Sequence, residues 1–348
     1  MSPADAALPT LLLGLDFSCA PSARKPLTLA WGRRTGSVVK LDRVDELPTL
    51  AALEAVLAPG ASHALTTTAD AAATPSAGAT VGFIAACDFP FGLPRAFVQA
   101  LQQHGPGTLP VDLAGAACDA TGAPLEAERL VRALHRHCAD RAGFQRLIDG
   151  WGDTWHPERA AAHPGSKLLH RATDQAMPGV SSTSPLQTRY VPVGKMYFEG
   201  LRRLVDADVT LPGLRAGRAE AIALEAYPGL LAFELLGRRS YKSDAKASTP
   251  AEVSAQQARL IARMDLVDAL EQGRSQRLSG DMGGAHGLRL KLSAAQRDHL
   301  VSDPKGDRLD AVLCLMQAAW AQRQREQGNT HWGLPPAMDP VEGWILSA

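Results

Sequence analysis

Three apolar runs in this chain each carry a carboxylate at or near their end: LLLGLDF at 11–17, VGFIAACDFPFG at 81–92 and AEAIALEAYPG at 219–229. Runs this short and this uniformly apolar, closed by glycine and proline turns, predict strands buried on both faces. Strands of that kind belong to sheets with helices on both sides, so the chain is expected to be α/β. Asp16, Asp88 and Glu225 then stand near the C-terminal ends of their strands, where ligands collect in open α/β sheets. Burying an isolated carboxylate is costly, and such groups have a partner or a metal. Singly, each acid reads as a turn former or cap. Three in equivalent places call for a shared explanation.

The remaining segments fill out the sheet. PLTLAWG (26–32) and SVVKLDRV (37–44) follow the first run through tight turns and predict two further strands. LPTLAALEAVLAP (47–59) has helical periodicity, TTTADAAATPSAGAT (66–80) reads as a loop, and Pro94 opens the helix RAFVQALQQH. TPAEVSAQQARLIARMDLVDALEQG (249–273) predicts an amphipathic helix capped by Ser248 or Thr249. Residues 107–215 differ in texture, being rich in His, Arg, Gly and Pro, and predict an insertion with its own helices, clearest at 123–151. The expected division is a core in two parts, 11–106 and 216–348, around that insertion. A three-strand antiparallel meander with parallel additions fits the ribonuclease-H-like layout, a mixed five-stranded sheet flanked by helices.

A second pair of acids opens the helix GDRLDAVLCLMQAAW (306–320). Asp307 and Asp310 are three apart and share a helix face. Capping accounts for one of them, but less well for a second a full turn in. If this first turn points at the strand ends, four or five acids converge, and like charges share a small space only with a cation between them. Oxygen ligands without nearby sulfur favour Mg²⁺ or Mn²⁺, and a pair of such ions is the usual machinery of in-line phosphoryl displacement.

LGLDFS, AACDFPFGLP, LEAYP and GDRLDAVLCLMQAAWA, in that order and spacing, resemble the family catalogued as domain of unknown function 429. Its members are predicted nucleases of ribonuclease-H-like fold. The closing EGWI resembles that family's C-terminal turn, and DRLDA resembles the last helix of Holliday-junction resolvases of the RuvC type. The resemblance covers roughly 11–94 and 215–346. HRATD, SPLQ and PVGKM in the insertion resemble elements of longer members. It implies a metal-dependent nuclease-like site with Asp16, Asp88, Asp307 and Asp310 as ligands, and Glu225 as a further ligand or an acid behind them. Asp16, Asp88 and Asp310 would be its catalytic acids.

Basic residues supply the candidate substrate contacts. Arg171 and Lys195 could hold phosphate, Arg171 bidentately, against the plainer reading of a surface loop with an ion pair. GRRSYKSDAK (237–246) reads either as a strip for a nucleic-acid backbone or as the charge complement to a helix C-terminus. Lys plus Arg and Asp plus Glu both total 36, so no global field draws the chain to polyanions, though a local basic groove stays open. Nucleic acid or a nucleotide is the expected partner, with no membrane. Five scattered cysteines and no signal-like start point to a reducing cytoplasm. Two other readings stand beside the nuclease. One is a non-catalytic protein that binds a metal or a partner. The other is a phosphotransferase of the actin and sugar-kinase type, for whose second phosphate hairpin EAYPGL is a poor substitute.

Overall fold

The computed structural model describes residues 11–61, 82–104, 126–150, 168–176, 179, 182–244, 248–279 and 287–347. Its strands are β1 (Leu11–Asp16), β2 (Leu27–Thr35), β3 (Val38–Leu47), β4 (Phe83–Asp88), β5 (Val209–Thr210), β6 (Arg218–Glu225) and β7 (Arg289–Lys291). They form one mixed sheet in the order β5-β6-β4-β1-β2-β3-β7. The meander β1-β2-β3 is antiparallel; β4 adds parallel to β1, β6 to β4, β5 to β6 and β7 to β3. Seven strands stand where five were expected. The additions, β5 and β7, are two and three residues long, too short to leave a period in the sequence.

The helices are α1 (Leu50–Leu57), α2 (Arg95–His104), α3 (Glu126–Cys138), α4 (141–150), α5 (Val193–Asp206), α6 (Pro228–Leu236), α7 (Pro250–Glu271), α8 (Ala294–Val301) and α9 (Asp307–Glu326). The run at 123–151 is therefore broken: Ala139 takes a φ of 58° between α3 and α4. Thr249, not Ser248, caps α7, in a reciprocal capping box with Glu252. The stretch 66–80 lies outside the described residues.

Side-chain alternation divides the core into two layers. Leu11, Leu13, Leu15, Phe83, Ala85, Cys87, Ala221 and Ala223 face one layer, where α1, α2, α3 and α5 pack. Leu12, Ile84, Ala86, Ile222 and Leu224 face the other, under α7 and α9. Leu130, Leu134, Phe144, Tyr197 and Leu201 of the 107–215 segment lie in the same core as Leu13 and Leu15, so its described helices complete the first layer.

Under α9 the sheet is floored by small residues, and Gly14 is the tightest point. A Cβ there would fall 2.0 Å from the Ala311 carbonyl oxygen and 2.2 Å from the Leu315 nitrogen, both backbone. Neither can yield without moving α9. Gly14→Ala is expected to destabilise by about 1–3 kcal/mol, the range for forced repacking of a close contact. Denaturant unfolding measures it, and a change below about 0.5 kcal/mol would show that α9 shifts freely.

Candidate metal centre

The period of two that sorts the core also sorts the acids. Asp16 continues the series Leu12, Gly14, and Asp88 continues Ile84, Ala86, so both fall on the α9 side of the sheet. Asp16 and Asp88 are direct register partners on adjacent parallel strands. Asp310, 1% exposed in the first turn of α9, joins them. Glu225 has the opposite parity: it follows Ala221 and Ala223 and pairs in register with Cys87, on the other face.

Capping does not explain the paired acids of α9. Gly306 holds the N-cap position with φ 77° and no side-chain cap bond. The terminal N–H groups are served by Asp303, whose Oδ2 accepts from the Arg308 nitrogen at 3.1 Å and Oδ1 from the Lys305 nitrogen at 3.1 Å. Asp310 is thus free to turn into the cluster. Asp307 stands half-buried at its edge, its carboxyl raised by burial and then by Asp303 and Asp310.

Asp310 has partners that the sequence reading did not single out. Tyr241 donates its hydroxyl to one carboxylate oxygen and Lys242 its ammonium to the other. Gly306 makes room, because a Cβ there would meet the Lys242 Cβ at 2.8 Å. Arg263 fixes the segment from behind by donating to the Tyr241 carbonyl at 2.8 Å. Lys242, which the sequence placed in a charge run after a helix, reaches Asp310 with its ammonium while its side chain stays 46% exposed. Burial works against its charge, but Asp310, Asp88 and Asp16 outweigh that and hold the ammonium protonated above its ordinary range.

One ammonium does not balance three carboxylates. Burial, then Asp310, Asp88 and Asp307, push Asp16 well above the usual aspartate range. Burial and Asp310 push Asp88 up to about 7. Beneath them the Cys314 thiol is held protonated, by burial first and then by Asp88, Asp16 and Asp310. The donor set is therefore hard oxygen carrying excess negative charge, which fits a hard divalent ion. Among the described residues, no three His, Cys, Asp or Glu side chains already stand in ion-holding geometry. The Tyr241 hydroxyl and the Lys242 ammonium occupy the two oxygens of Asp310 that would have to turn to an ion.

Glu225 is engaged elsewhere. Arg171 grips it with two bonds, Nη1 to Oε2 at 2.8 Å and Nη2 to Oε1 at 2.6 Å, and the Phe91 nitrogen donates to Oε2 at 2.8 Å. The same guanidinium binds Asp174 through Nε at 3.2 Å and Nη2 at 2.8 Å, and the Glu342 carbonyl through Nη1 at 2.9 Å. All five of its N–H groups are spent, and it is 1% exposed. Arg171 is thus a buried clamp between insertion, β6 and C-terminal tail rather than a surface residue with donors to spare for phosphate. Lys195 is half-buried near Cys19, whose thiol is raised by burial and drawn back by Arg141 and Lys195.

A cavity of about 240 Å³ opens beside the cluster. Asp88, Tyr227 and Lys242 stand on its acid side, while Thr183, Val193 and Met196 come from the insertion. Lys195 is not among its lining residues, although its neighbours are. No family model, curated protein or solved structure matches the chain. Among the described residues no helix is long and apolar enough to cross a membrane.

Proposed function

We propose that this chain is a divalent-metal-dependent nuclease of ribonuclease-H-like fold, in which Asp16, Asp88 and Asp310 hold Mg²⁺ or Mn²⁺. One observation carries the reading: two register-paired aspartates at parallel strand ends meet a third that is buried in the first turn of a helix and has no capping role. The strand order β3-β2-β1-β4-β6 within the sheet and the resemblance to domain of unknown function 429 support it. When bound, such ions activate water and neutralise charge at the leaving oxygen of a phosphodiester. The chain's own groups have separate tasks. Tyr241 orients Asp310, and Lys242 keeps a fixed positive charge where a phosphate would approach. Asp307 adds a negative charge at the edge, and Glu225 with Arg171 braces the end of β6. Nucleic acid or a nucleotide is the partner this chemistry serves, and Cys19, Cys87, Cys138 and Cys314, all free and buried, suit a reducing cytoplasm.

Mn²⁺ titration calorimetry tests the reading. The unmodified protein is expected to bind Mn²⁺, and Asp88→Ala and Asp310→Ala are each expected to weaken it by about tenfold to a hundredfold, with both variants still folded. Binding that survives both substitutions, or no binding to the unmodified protein, would return the acids to a purely structural role.

A further inference from the structure

The cavity beside Asp88 has a mixed apolar and charged lining that narrows its occupant. Pro90, Val193, Met196, Ala226 and Ile345 supply apolar lining, and Asp88, Lys242, Arg171 and Glu225 supply the charged part. The guanidinium in its wall offers no donor, because Arg171 is saturated by Glu225, Asp174 and the Glu342 carbonyl. The Ser182 hydroxyl is likewise committed, donating to Asp174 Oδ1 at 2.6 Å. A phosphate set against Arg171 would find every N–H of its guanidinium already taken. A neutral body fits against the apolar lining instead, with an attached anion beside Lys242 and Asp88.

Size and shape narrow the body further. At about 240 Å³ the space is smaller than the usual drug-sized pocket of about 300–1,000 Å³ and has no room for a duplex. Aromatic rings at Phe89 and Tyr227, the apolar side chains and the exposed Thr183 make the kind of lining that takes a single unstacked base. We infer that this cavity is a subsite for one nucleoside, which holds the base and sugar of the scissile nucleotide so that its phosphate lies over Asp16, Asp88 and Asp310. The inference rests on the nuclease reading and deepens it. The substrate is a nucleotide unit taken singly, from a free nucleotide or an unpaired strand, and not an intact duplex.

Calorimetric titration of the full chain in Mn²⁺ tests this with adenosine 5′-monophosphate, uridine 5′-monophosphate and ribose 5-phosphate. At least one nucleotide is expected to bind about tenfold or more tighter than ribose 5-phosphate. Thr183→Trp, placed at an exposed wall residue so that the fold is retained, is expected to remove that advantage while Mn²⁺ binding and Tm stay unchanged. A single-stranded tetranucleotide that competes for the subsite would make the source a strand, and monophosphate binding alone would make it a free nucleotide; either supports the subsite. Equal binding of ribose 5-phosphate, indifference to Thr183→Trp, or a duplex binding as tightly as the strand would overturn it. Mn²⁺ binding without nucleotide binding defeats the subsite alone, whereas absent Mn²⁺ binding defeats the nuclease reading.

Discussion

Replacing Asp88 by Asn is expected to stabilise the metal-free protein at about pH 8 and to flatten its pH dependence from there down to about pH 5. In the fold, burial and the neighbouring Asp310 raise the Asp88 carboxyl from the ordinary aspartate range to about 7. Between its unfolded and folded values the native state therefore binds more protons than the unfolded chain, so stability falls as pH rises. The favourable contribution is complete below about pH 4 and is lost as pH passes through about 7, for a total on the order of 4 kcal/mol. Asp16 is shifted in the same direction for the same reasons. Asparagine keeps the shape but does not titrate, and so removes its share of the loss. Thermal melts of both proteins across this range give the difference, several degrees at the alkaline end. Mn²⁺ at about pH 8 is expected to raise the Tm of the unmodified chain and to leave the variant unmoved. A variant that melts below the unmodified protein at both pH values would show that Asp88 makes a net favourable contact.

The part of this arrangement legible in the sequence is the part governed by local periodicity. LLLGLD and FIAACD announce buried strands, and their alternation already places Asp16 with Gly14 and Asp88 with Ala86. AIALE announces its strand equally well. Its parity differs, but parity between strands has no meaning until register is known, and register is a property of pairing. That is why Glu225 could be grouped with Asp16 and Asp88 although it faces the other layer. The partners of Asp310 were less legible still. Tyr241 and Lys242 sit in a run of charge where nothing local says which side chains reach the acids, and their approach depends on the left-handed Gly306, some sixty residues later. Arg171 lies 54 residues from Glu225, and a buried guanidinium has no periodic signature. Asp303, which accepts from the first turn of α9, stands just ahead of the helix among turn residues, while the capping argument falls on the two acids inside it.

Arg171→Met is expected to cost about 3–5 kcal/mol, the price of stranding charge in a dry interior. Glu225 and Asp174 are 3% and 2% exposed, and the substitution removes the cation they share. Glu225→Gln is milder, since the amide oxygen still accepts from Phe91 and Arg171 keeps Asp174. Denaturant unfolding of the two single variants and the double variant gives the coupling, expected at about 1–3 kcal/mol because the residues act as one network. The clamp is also what ties the insertion over the cavity. The Thr173 hydroxyl accepts from the Ile345 nitrogen at 2.9 Å, and Glu342 accepts from the Ala172 nitrogen at 3.0 Å, both next to Arg171 in chain or space. Faster hydrogen exchange at 171–176 in Arg171→Met is therefore expected, with β1 and β4 unaffected. Because Glu225 faces away from α9, Glu225→Gln is expected to hold Mn²⁺ within about twofold of the unmodified affinity, in contrast to Asp88→Ala. A loss as large as that of Asp88→Ala would mean that Glu225 leaves Arg171 and turns to the ion, and that the clamp opens when the metal binds.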